Sequence, residues 1–357
     1  MSPAEPAHLD IAAGSNPGVS GKNNEDRFAV STQAAGPGRE QPSVLAVVSD
    51  GIGGHRAGEV AAEIAVETIT QLVANANTED PVSVLEEAIT NASQAIYRES
   101  ESEADHRGMG ATCACAWVIG DQLYTASVGD SRIYLVRNGR IHQLTTDHTW
   151  IQEAIDQGVL TADEARGHPN AHVIRRYLGS RTAVVPDVRL RLRTGESEEQ
   201  SRANQGLPLR PGDLIMLCSD GLTDLVTDEE ILATLSNENQ NDAVDTLIDL
   251  ANERGGHDNI TIVLLHVPQP EMATMPVGVA PATSPNPQPR IATMPVGVAP
   301  AASPDPQPKS PAIFPQLVAP RSRLFLFACL SVIGLLAVGA LLVGGLYSFF
   351  DGFSLFP

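Results

Sequence analysis

A run of 27 residues without a charged side chain, 324–350, places the strongest constraint on how this chain can fold. A membrane-spanning helix needs about 20 apolar residues, whereas a soluble core helix of this length would be expected to carry a polar face. We therefore predict a transmembrane helix over 324–350 rather than a buried core helix. Arg321 and Arg323 precede the run. By the positive-inside rule, everything N-terminal to it is then cytoplasmic, and 351–357 forms a short outer tail at the cell membrane.

A Pro-rich stretch, 268–323, separates this run from the front of the chain. It contains a repeat with a period of 19 residues, because the sequence at 273–289 returns almost unchanged at 292–308. Frequent prolines prevent helices and sheets and favour extended chain. We predict a disordered linker, which serves either as a plain spacer or as a docking site for a partner that recognises proline-rich peptides.

The front of the chain, 8–267, is predicted to be one domain, and it is acidic. Residues 1–270 hold 19 of the 23 basic and 40 of the 43 acidic residues, a net charge of -21. Such a surface repels nucleic acid, so no nucleic-acid partner is expected. The four cysteines have no zinc-binding spacing, which argues against a zinc site. The carboxylates either keep the domain soluble or cluster to hold cations.

The pattern of apolar residues in this domain predicts a mixture of strands and helices. Buried strands are indicated at 44–49, 213–219 and 259–267, a helix at 57–76, and a second helix from Pro81 to about Arg98. Asn138-Gly139 between two apolar runs is typical of a β-hairpin. Consecutive strands joined by hairpins favour an α+β fold with antiparallel sheets and helices packed outside them. The polar insert 194–206 is predicted to be a disordered loop.

Three aspartates stand at the ends of predicted strands. Asp50-Gly51 follows the first strand, Asp220-Gly221 follows the second, and Asp258 precedes the third. A single Asp-Gly pair is ordinary turn chemistry. Three such positions in one domain suggest a site for hard divalent cations, which prefer oxygen ligands.

Six motifs in order make the pattern specific. They are KNNEDRF (22–28), VVSDGIGGHRAGEVAA (47–62), VGDSRIY (128–134), LTTDHT (144–149), CSDGLTD (218–224) and HDNITIV (257–263). Together they resemble the bacterial type 2C, metal-dependent Ser/Thr protein phosphatases, and the resemblance covers nearly the whole front domain. It implies two central antiparallel β-sheets flanked by helices, an α/β/β/α sandwich. It also implies hydrolysis of phosphoserine and phosphothreonine through attack by a hydroxide that bridges two metal ions, Mn2+ or Mg2+.

The resemblance also implies roles for individual residues. Asp50 would bridge two metals and the Gly51 carbonyl would complete one of them, while Asp220 and Asp258 would bind the second. Asp26 would hold metal-bound water, with Glu25 beside it. Asp130 matches a third, weaker metal position, although an Asp before a strand is also an ordinary turn residue.

Two steps of the reaction remain open at the level of sequence. The leaving oxygen needs a proton, which either His55 or a metal-bound water could donate. Many relatives carry an arginine that grips the substrate phosphate, but Gly21 stands at that position here. The adjacent Lys22 either substitutes for it in part, with a point charge rather than a bidentate fork, or is merely a solvated surface charge.

The segment 147–186 resembles the flap of this family, a mobile lid near the site that influences substrate choice in relatives. Within it, Arg175 and Arg176 are either contacts for a phosphorylated segment or plain surface charge. The implied partners are phosphorylated proteins, with Ser/Thr kinases and their substrates first among them. The substrate could also be the phosphoserine of a small regulator in a gene-control cascade. The alternative, motivated by Gly21, is a weakly active or inactive membrane-tethered adaptor that binds phosphoproteins.

Overall fold

The computed structural model describes residues 8–35, 40–53, 57–165 and 167–269. Within these ranges the strands are β1 (Asp10–Asn16), β2 (Arg27–Gln33), β3 (Ser43–Ser49), β4 (Gly51–Ile52), β5 (Gly110–Ala111), β6 (Cys113–Ile119), β7 (Gln122–Val128), β8 (Arg132–Arg137), β9 (Arg140–Gln143), β10 (Leu207–Pro208), β11 (Leu214–Cys218) and β12 (Ile260–His266). The helices are α1 (Ala57–Asn75), α2 (Pro81–Ser102), α3 (Trp150–Asp156), α4 (Ala162–Ala165), α5 (Glu198–Ala203), α6 (Asp220–Thr223), α7 (Asp228–Asn237) and α8 (Gln240–Glu253). All three strands predicted by number are present, within one residue of the predicted bounds.

Two five-stranded sheets form the centre of this region. One has the strand order β1-β12-β11-β8-β9 and the other β10-β7-β6-β3-β2. Every neighbouring pair in both sheets is antiparallel. A short pair, β4 with β5, lies beside them. The predicted antiparallel architecture is confirmed.

Strand β3 shows how the layers are built, because its alternate residues point to opposite faces. Val44 and Val48 pack between the two sheets, together with Ile215 of β11. Leu45 and Val47 pack on the other face, in a core shared with α1 and α2. A strand buried on both faces reads as a continuous apolar run, which is how 44–48 appears in the sequence.

The outer face of the other sheet is covered in the same way. Met216 of β11 and Leu264 of β12 pack against Leu247 of α8. Helices therefore cover both outer faces of the paired sheets, and the predicted α/β/β/α order is confirmed for the described residues.

The Asn138-Gly139 hairpin is confirmed as well. Arg137 of β8 pairs with Arg140 of β9, so the two residues between them form the turn. Their φ angles are 54° and 69°. A two-residue hairpin of this type requires positive φ at both positions, which Asn and Gly tolerate best.

The prediction of a disordered loop over 194–206 is wrong, because α5 lies inside it. Ser197 caps this helix: its side chain accepts the Gln200 N–H, and the Gln200 side chain accepts the Ser197 N–H. Ser201, within the helix, is buried. A capping box can start a helix in a segment whose composition is polar.

Several predictions fall outside the described residues: the Pro-rich linker 268–323 beyond Gln269, the transmembrane helix 324–350 and the outer tail. Among the residues that the structure describes, none of the helices has the length and apolar character of a membrane span.

Candidate metal centre

Asp50 stands in the gap between β3 and β4. Its N–H donates to Thr112 Oγ1 at 2.9 Å, and its carbonyl oxygen accepts the Thr112 N–H at 2.8 Å. Ser49 Oγ donates to the Thr112 carbonyl at 2.7 Å. These bonds fix the backbone on both sides of Asp50, so its carboxylate has a defined position. Sequence reasoning missed Thr112, since its role depends on pairing across 62 residues.

The glycine after Asp50 is required by close packing. A Cβ at Gly51 would lie 2.2 Å from the Gly58 carbonyl oxygen and 2.8 Å from the Glu25 carbonyl oxygen. A Cβ at Gly58 would in turn lie 2.7 Å from the Gly51 carbonyl oxygen. The first turn of α1 therefore rests directly on Gly51. Gly58 was missed at the sequence level, although a glycine inside a helix often marks such a contact.

Asp26 is buried just before β2, with 2% of its surface exposed. Ser219 Oγ donates to Asp26 Oδ2 at 2.7 Å, while Asp26 Oδ1 has no hydrogen-bond partner. Ser219 immediately precedes Asp220, so this bond brings the Asp26 segment to the end of β11.

Asp220 and Asp258 are held close by another glycine. A Cβ at Gly221 would lie 2.1 Å from the Asn259 carbonyl oxygen, so the start of α6 contacts the residue after Asp258. The Asn259 side chain accepts the Glu25 N–H at 2.7 Å and donates to the Asn23 carbonyl at 3.1 Å. It thereby ties the Asp258 turn to the segment that carries Glu25 and Asp26.

Asp130 follows β7 and is 6% exposed. The N–H of its neighbour Gly129 donates to His148 Nδ1 at 3.0 Å. His148 is itself buried and lies 3.4 Å, through Nε2, from Asp187 Oδ2. The buried His148 side chain therefore fixes the turn that carries Asp130, a contact that the sequence did not predict.

The predicted aspartates lie close enough to one another to interact electrostatically. Burial raises the pKa of Asp50 well above its usual range, and repulsion from Asp26, Asp220, Asp130 and Asp258 adds to the rise. Burial and nearby carboxylates likewise raise the pKa of Asp220. The pKa of Asp26 and that of Asp130 each rise to about 6, chiefly through burial. The structure therefore gathers all five aspartates into one cluster.

This cluster lacks the positive charge that buried carboxylates normally need. Arg27 and Arg132 lower the pKa of Asp26 and Asp130 respectively, but each is already paired, Arg27 with Glu59 and Arg132 with Asp147. Asp26 Oδ1, Asp130 Oδ1 and Asp220 Oδ1 are buried without any hydrogen-bond partner. Unpartnered buried carboxylate oxygens from separate elements fit divalent cations.

A histidine of the flap reaches this region. His172 Nδ1 lies 3.2 Å from Asp224 Oδ2. Ligand atoms of His172, Asp220 and Asp224 lie within 4.8 Å of one another. Sequence reasoning placed the flap near the site but named neither His172 nor Asp224.

The remaining predicted residues are placed less completely. Lys22 is exposed, and its charge lowers the pKa of Glu25, which burial and Asp258 raise. Gly21 has a φ of 74° and open space where a side chain would extend. His55 lies outside the described residues. Arg175, on the flap, is paired at the surface with Glu153 at 3.2 Å.

Comparison with known proteins decides the family. A profile described as "Protein phosphatase 2C" matches residues 13–258. This chain belongs to the protein phosphatase 2C family. It is 34% identical over 259 residues to the serine/threonine protein phosphatase PstP of Mycobacterium tuberculosis, a match that covers 72% of this chain and 45% of PstP. The chain therefore spans about half the length of that curated relative. It is also 34% identical over 226 residues to the serine/threonine phosphatase stp of Listeria monocytogenes, covering 62% of this chain and 83% of that protein.

Solved structures agree. The crystal structure of PstP/Ppp from Mycobacterium tuberculosis matches with a TM-score of 0.61 at 34% identity, over 73% of this chain and 99% of that one. A second structure holds the PstP catalytic domain in complex with two manganese ions and matches with a TM-score of 0.58, over 72% of this chain and 97% of that one. The ions in that relative accord with the predicted Mn2+ or Mg2+ cofactor.

Proposed function

We propose that this chain is a metal-dependent phosphatase that removes phosphate from serine and threonine side chains of other proteins. The observation that carries the proposal is the cluster of five aspartates, in which Asp26, Asp130 and Asp220 each have a buried carboxylate oxygen without a hydrogen-bond partner among the described residues. Membership of the protein phosphatase 2C family supports the same reaction.

Asp50, Asp220 and Asp258, with the Gly51 carbonyl, would hold two divalent ions, and Asp130 would contribute to a third position. Ions bound there supply positive charge to phosphate oxygens and lower the pKa of water, which is the chemistry that phosphate ester hydrolysis needs. Hydrolysis then requires the carboxylates to stay fixed while charge builds up on the phosphate.

The chain's own contacts provide that rigidity. Ser219 holds one oxygen of Asp26 and leaves the other directed away from protein donors. Thr112 clamps the backbone of Asp50. Lys22, exposed beside Glu25, would attract the phosphate of the substrate by charge. His55, which stands between β4 and α1 in the sequence, would donate a proton to the leaving oxygen.

The proposal extends to location and partners. The uncharged run 324–350 would anchor the enzyme in the cell membrane with the phosphatase domain in the cytoplasm, and 268–323 would act as its spacer. Its substrates would then be phosphoproteins near the membrane, including Ser/Thr kinases and their targets. Cell fractionation of the full chain beside a chain ending at Gln269 tests the anchor. The full chain should sediment with membranes, and recovery of both in the soluble fraction would contradict it.

The reaction is tested with a phosphothreonine peptide and the full chain, assayed with Mn2+, with excess chelator and with Asp50→Asn. We expect hydrolysis that requires Mn2+ and is lost in the variant. A folded chain that binds the phosphopeptide tightly but releases no phosphate would instead favour the adaptor function that Gly21 suggests.

A further inference from the structure

The segment that follows the flap presents a row of arginines. In 188–193 the sequence reads V-R-L-R-L-R. Val188 and Leu190 are buried in the domain core, so Arg189, Arg191 and Arg193 alternate with them and lie on the opposite side of an extended chain. Arg193 is exposed, whereas Arg189 and Arg191 are half-buried.

This row is unusual in so acidic a chain. Residues 167–193 contain six arginines and one carboxylate, Asp187, whereas the whole chain has a net charge of -20. Arg189 is neutralised by Asp187. Within the described ranges, Arg191 and Arg193 form no ion pair, so two positive charges are left uncompensated.

A cavity of about 330 Å³ opens between this row and the edge strand β9. Arg191 and Arg193 line one side, and His142 and Gln143 of β9 line the other. None of the described lining residues carries a carboxylate. The backbone N–H of Arg191 donates to the Leu144 carbonyl at 2.9 Å, and this bond fixes the segment beside β9. Arg191 Nε is buried without a hydrogen-bond acceptor among the described residues, so the hydrogen bonds that this guanidinium can form are not all made within the domain.

Side-chain contacts link the lining of the cavity to the residues around the metal centre. Gln143 Nε2 donates to Asp147 Oδ1 at 2.8 Å. Asp147 pairs at 2.6 Å with Arg132, which stands two residues after Asp130. The cavity therefore lies on the part of the domain that carries Asp130, so a protein substrate whose phosphate is at the metal centre could place a neighbouring side chain in the cavity.

We propose that this cavity binds an acidic side chain of the protein substrate, so that the enzyme prefers phosphosites with Asp or Glu in their vicinity. The inference rests on the proposed phosphatase function. Guanidinium groups bind carboxylates through paired hydrogen bonds. The rest of this acidic domain repels such a segment. We therefore expect an acidic side chain to bind at this cavity in preference to other surfaces of the domain.

Binding is measured first, because it needs no catalysis. A fluorescent, unphosphorylated Glu-rich peptide is titrated with the full chain and its anisotropy recorded, beside a peptide with Gln at the same positions. Arg191→Gln and Arg193→Gln should each weaken binding of the Glu peptide about fivefold, which corresponds to about 1 kcal/mol. Arg98→Gln, which removes an exposed arginine on α2, is the charge-matched control and should bind normally. Arg193 is exposed, so its variant separates loss of binding from loss of folding.

Hydrolysis is measured second, on phosphothreonine peptides that carry Glu or Gln at a series of flanking positions. The same two variants should raise KM about fivefold for the best Glu peptide, leave kcat unchanged, and leave both constants unchanged for the Gln peptide. Equal KM values for Glu and Gln peptides, or equal effects of Arg98→Gln, would overturn the inference. Displacement of the Glu peptide by inorganic phosphate at equal concentration would also overturn it and identify a small-anion site.

The two proposals fail in different ways. Absence of hydrolysis for every peptide would overturn the phosphatase function, and the anisotropy of the unphosphorylated peptide would still decide whether the cavity binds acidic segments.

Discussion

Asp187 and Asp26 are both buried carboxylates, but their surroundings shift their pKa values in opposite directions. Asp187 is buried, but hydrogen bonds from His148 and Arg189 outweigh the effect of burial and hold its pKa below its usual range. Asp26 also receives a side-chain hydrogen bond, from Ser219, yet its pKa rises to about 6. Both carboxylates are buried, but Asp187 has an arginine of its own, whereas Asp26 is buried more deeply and is repelled by Asp258.

The comparison indicates what each kind of carboxylate does. A carboxylate with its own cation stabilises the fold, whereas a cluster of carboxylates without one costs folding free energy until a ligand supplies the charge. Groups whose pKa values are strongly raised by such a cluster tend to lie at functional sites. The aspartates of the metal centre therefore reflect selection for binding rather than for stability of the empty protein.

The largest expected effect is on catalysis at Asp50. Asp50→Asn should lower Mn2+-dependent hydrolysis of a phosphothreonine peptide by a factor of about 1,000 or more, because a carboxylate proposed to hold the metal ions is lost. Without metal, the same variant should be about 1 kcal/mol more stable than the parent, since one repelling charge is removed. Urea unfolding in chelator measures this change. If Asp50→Asn were instead less stable than the parent without metal, the contrast between carboxylates with and without their own cation would be contradicted.

Once the metal is removed, the stability of the folded protein should depend on pH, because buried carboxylates with raised pKa values are no longer neutralised. The ordinary pKa of 3.8 rises to about 6 for both Asp26 and Asp130 in the folded state, so the native chain binds more protons than the unfolded chain between those values. Stability of the metal-free protein should therefore increase as the pH falls from 7.5 to 5, by about 1.4 kcal/mol for each carboxylate. Thermal unfolding in chelator across this range measures it, and saturating Mn2+ at pH 7.5 should restore stability.

Asp187→Asn should have the opposite sign from Asp50→Asn. It removes the partner of Arg189 and His148 and should destabilise the metal-free protein by about 2 kcal/mol. The rise in stability on adding Mn2+ should persist, since Asp187 is not in the cluster. Urea unfolding with and without Mn2+ checks both statements, and an unchanged stability would show that the pair contributes nothing.

The smallest effect is expected at Lys22. Lys22→Ala should raise KM for a phosphopeptide about threefold with kcat nearly unchanged, because an exposed point charge contributes little. Lys22→Arg should keep the parent KM. Steady-state kinetics at low ionic strength would reveal the difference, and equal KM in all three proteins would assign Lys22 to the solvated surface.

Much of the site could be predicted from local sequence. Asp50, Asp220 and Asp258 stand at the ends of apolar runs, and strand ends are marked by local patterns. The residues that hold them were missed for a physical reason. Ser219 meets Asp26 across 193 positions, and Thr112 meets Asp50 across 62, so only the packing of the two sheets brings them together.

Helix α5 was missed for a different reason. Its polar composition suggested disorder, but Ser197 and Gln200 have the spacing of a capping box. That local signal was present in the sequence and outweighs composition. His148 carries no such signal, since a lone histidine acquires its role only through close packing.

The central claim is that the unpaired carboxylates form a site for divalent cations. Calorimetric titration of the full chain with Mn2+ at pH 7.5, in two buffers of different ionisation enthalpy, tests it most directly. The account predicts saturable binding of at least two ions, proton release on binding, and loss of the tighter binding in Asp50→Asn but not in Asp187→Asn. Absence of Mn2+ binding by the folded chain, or binding that Asp50→Asn leaves unchanged, would contradict it.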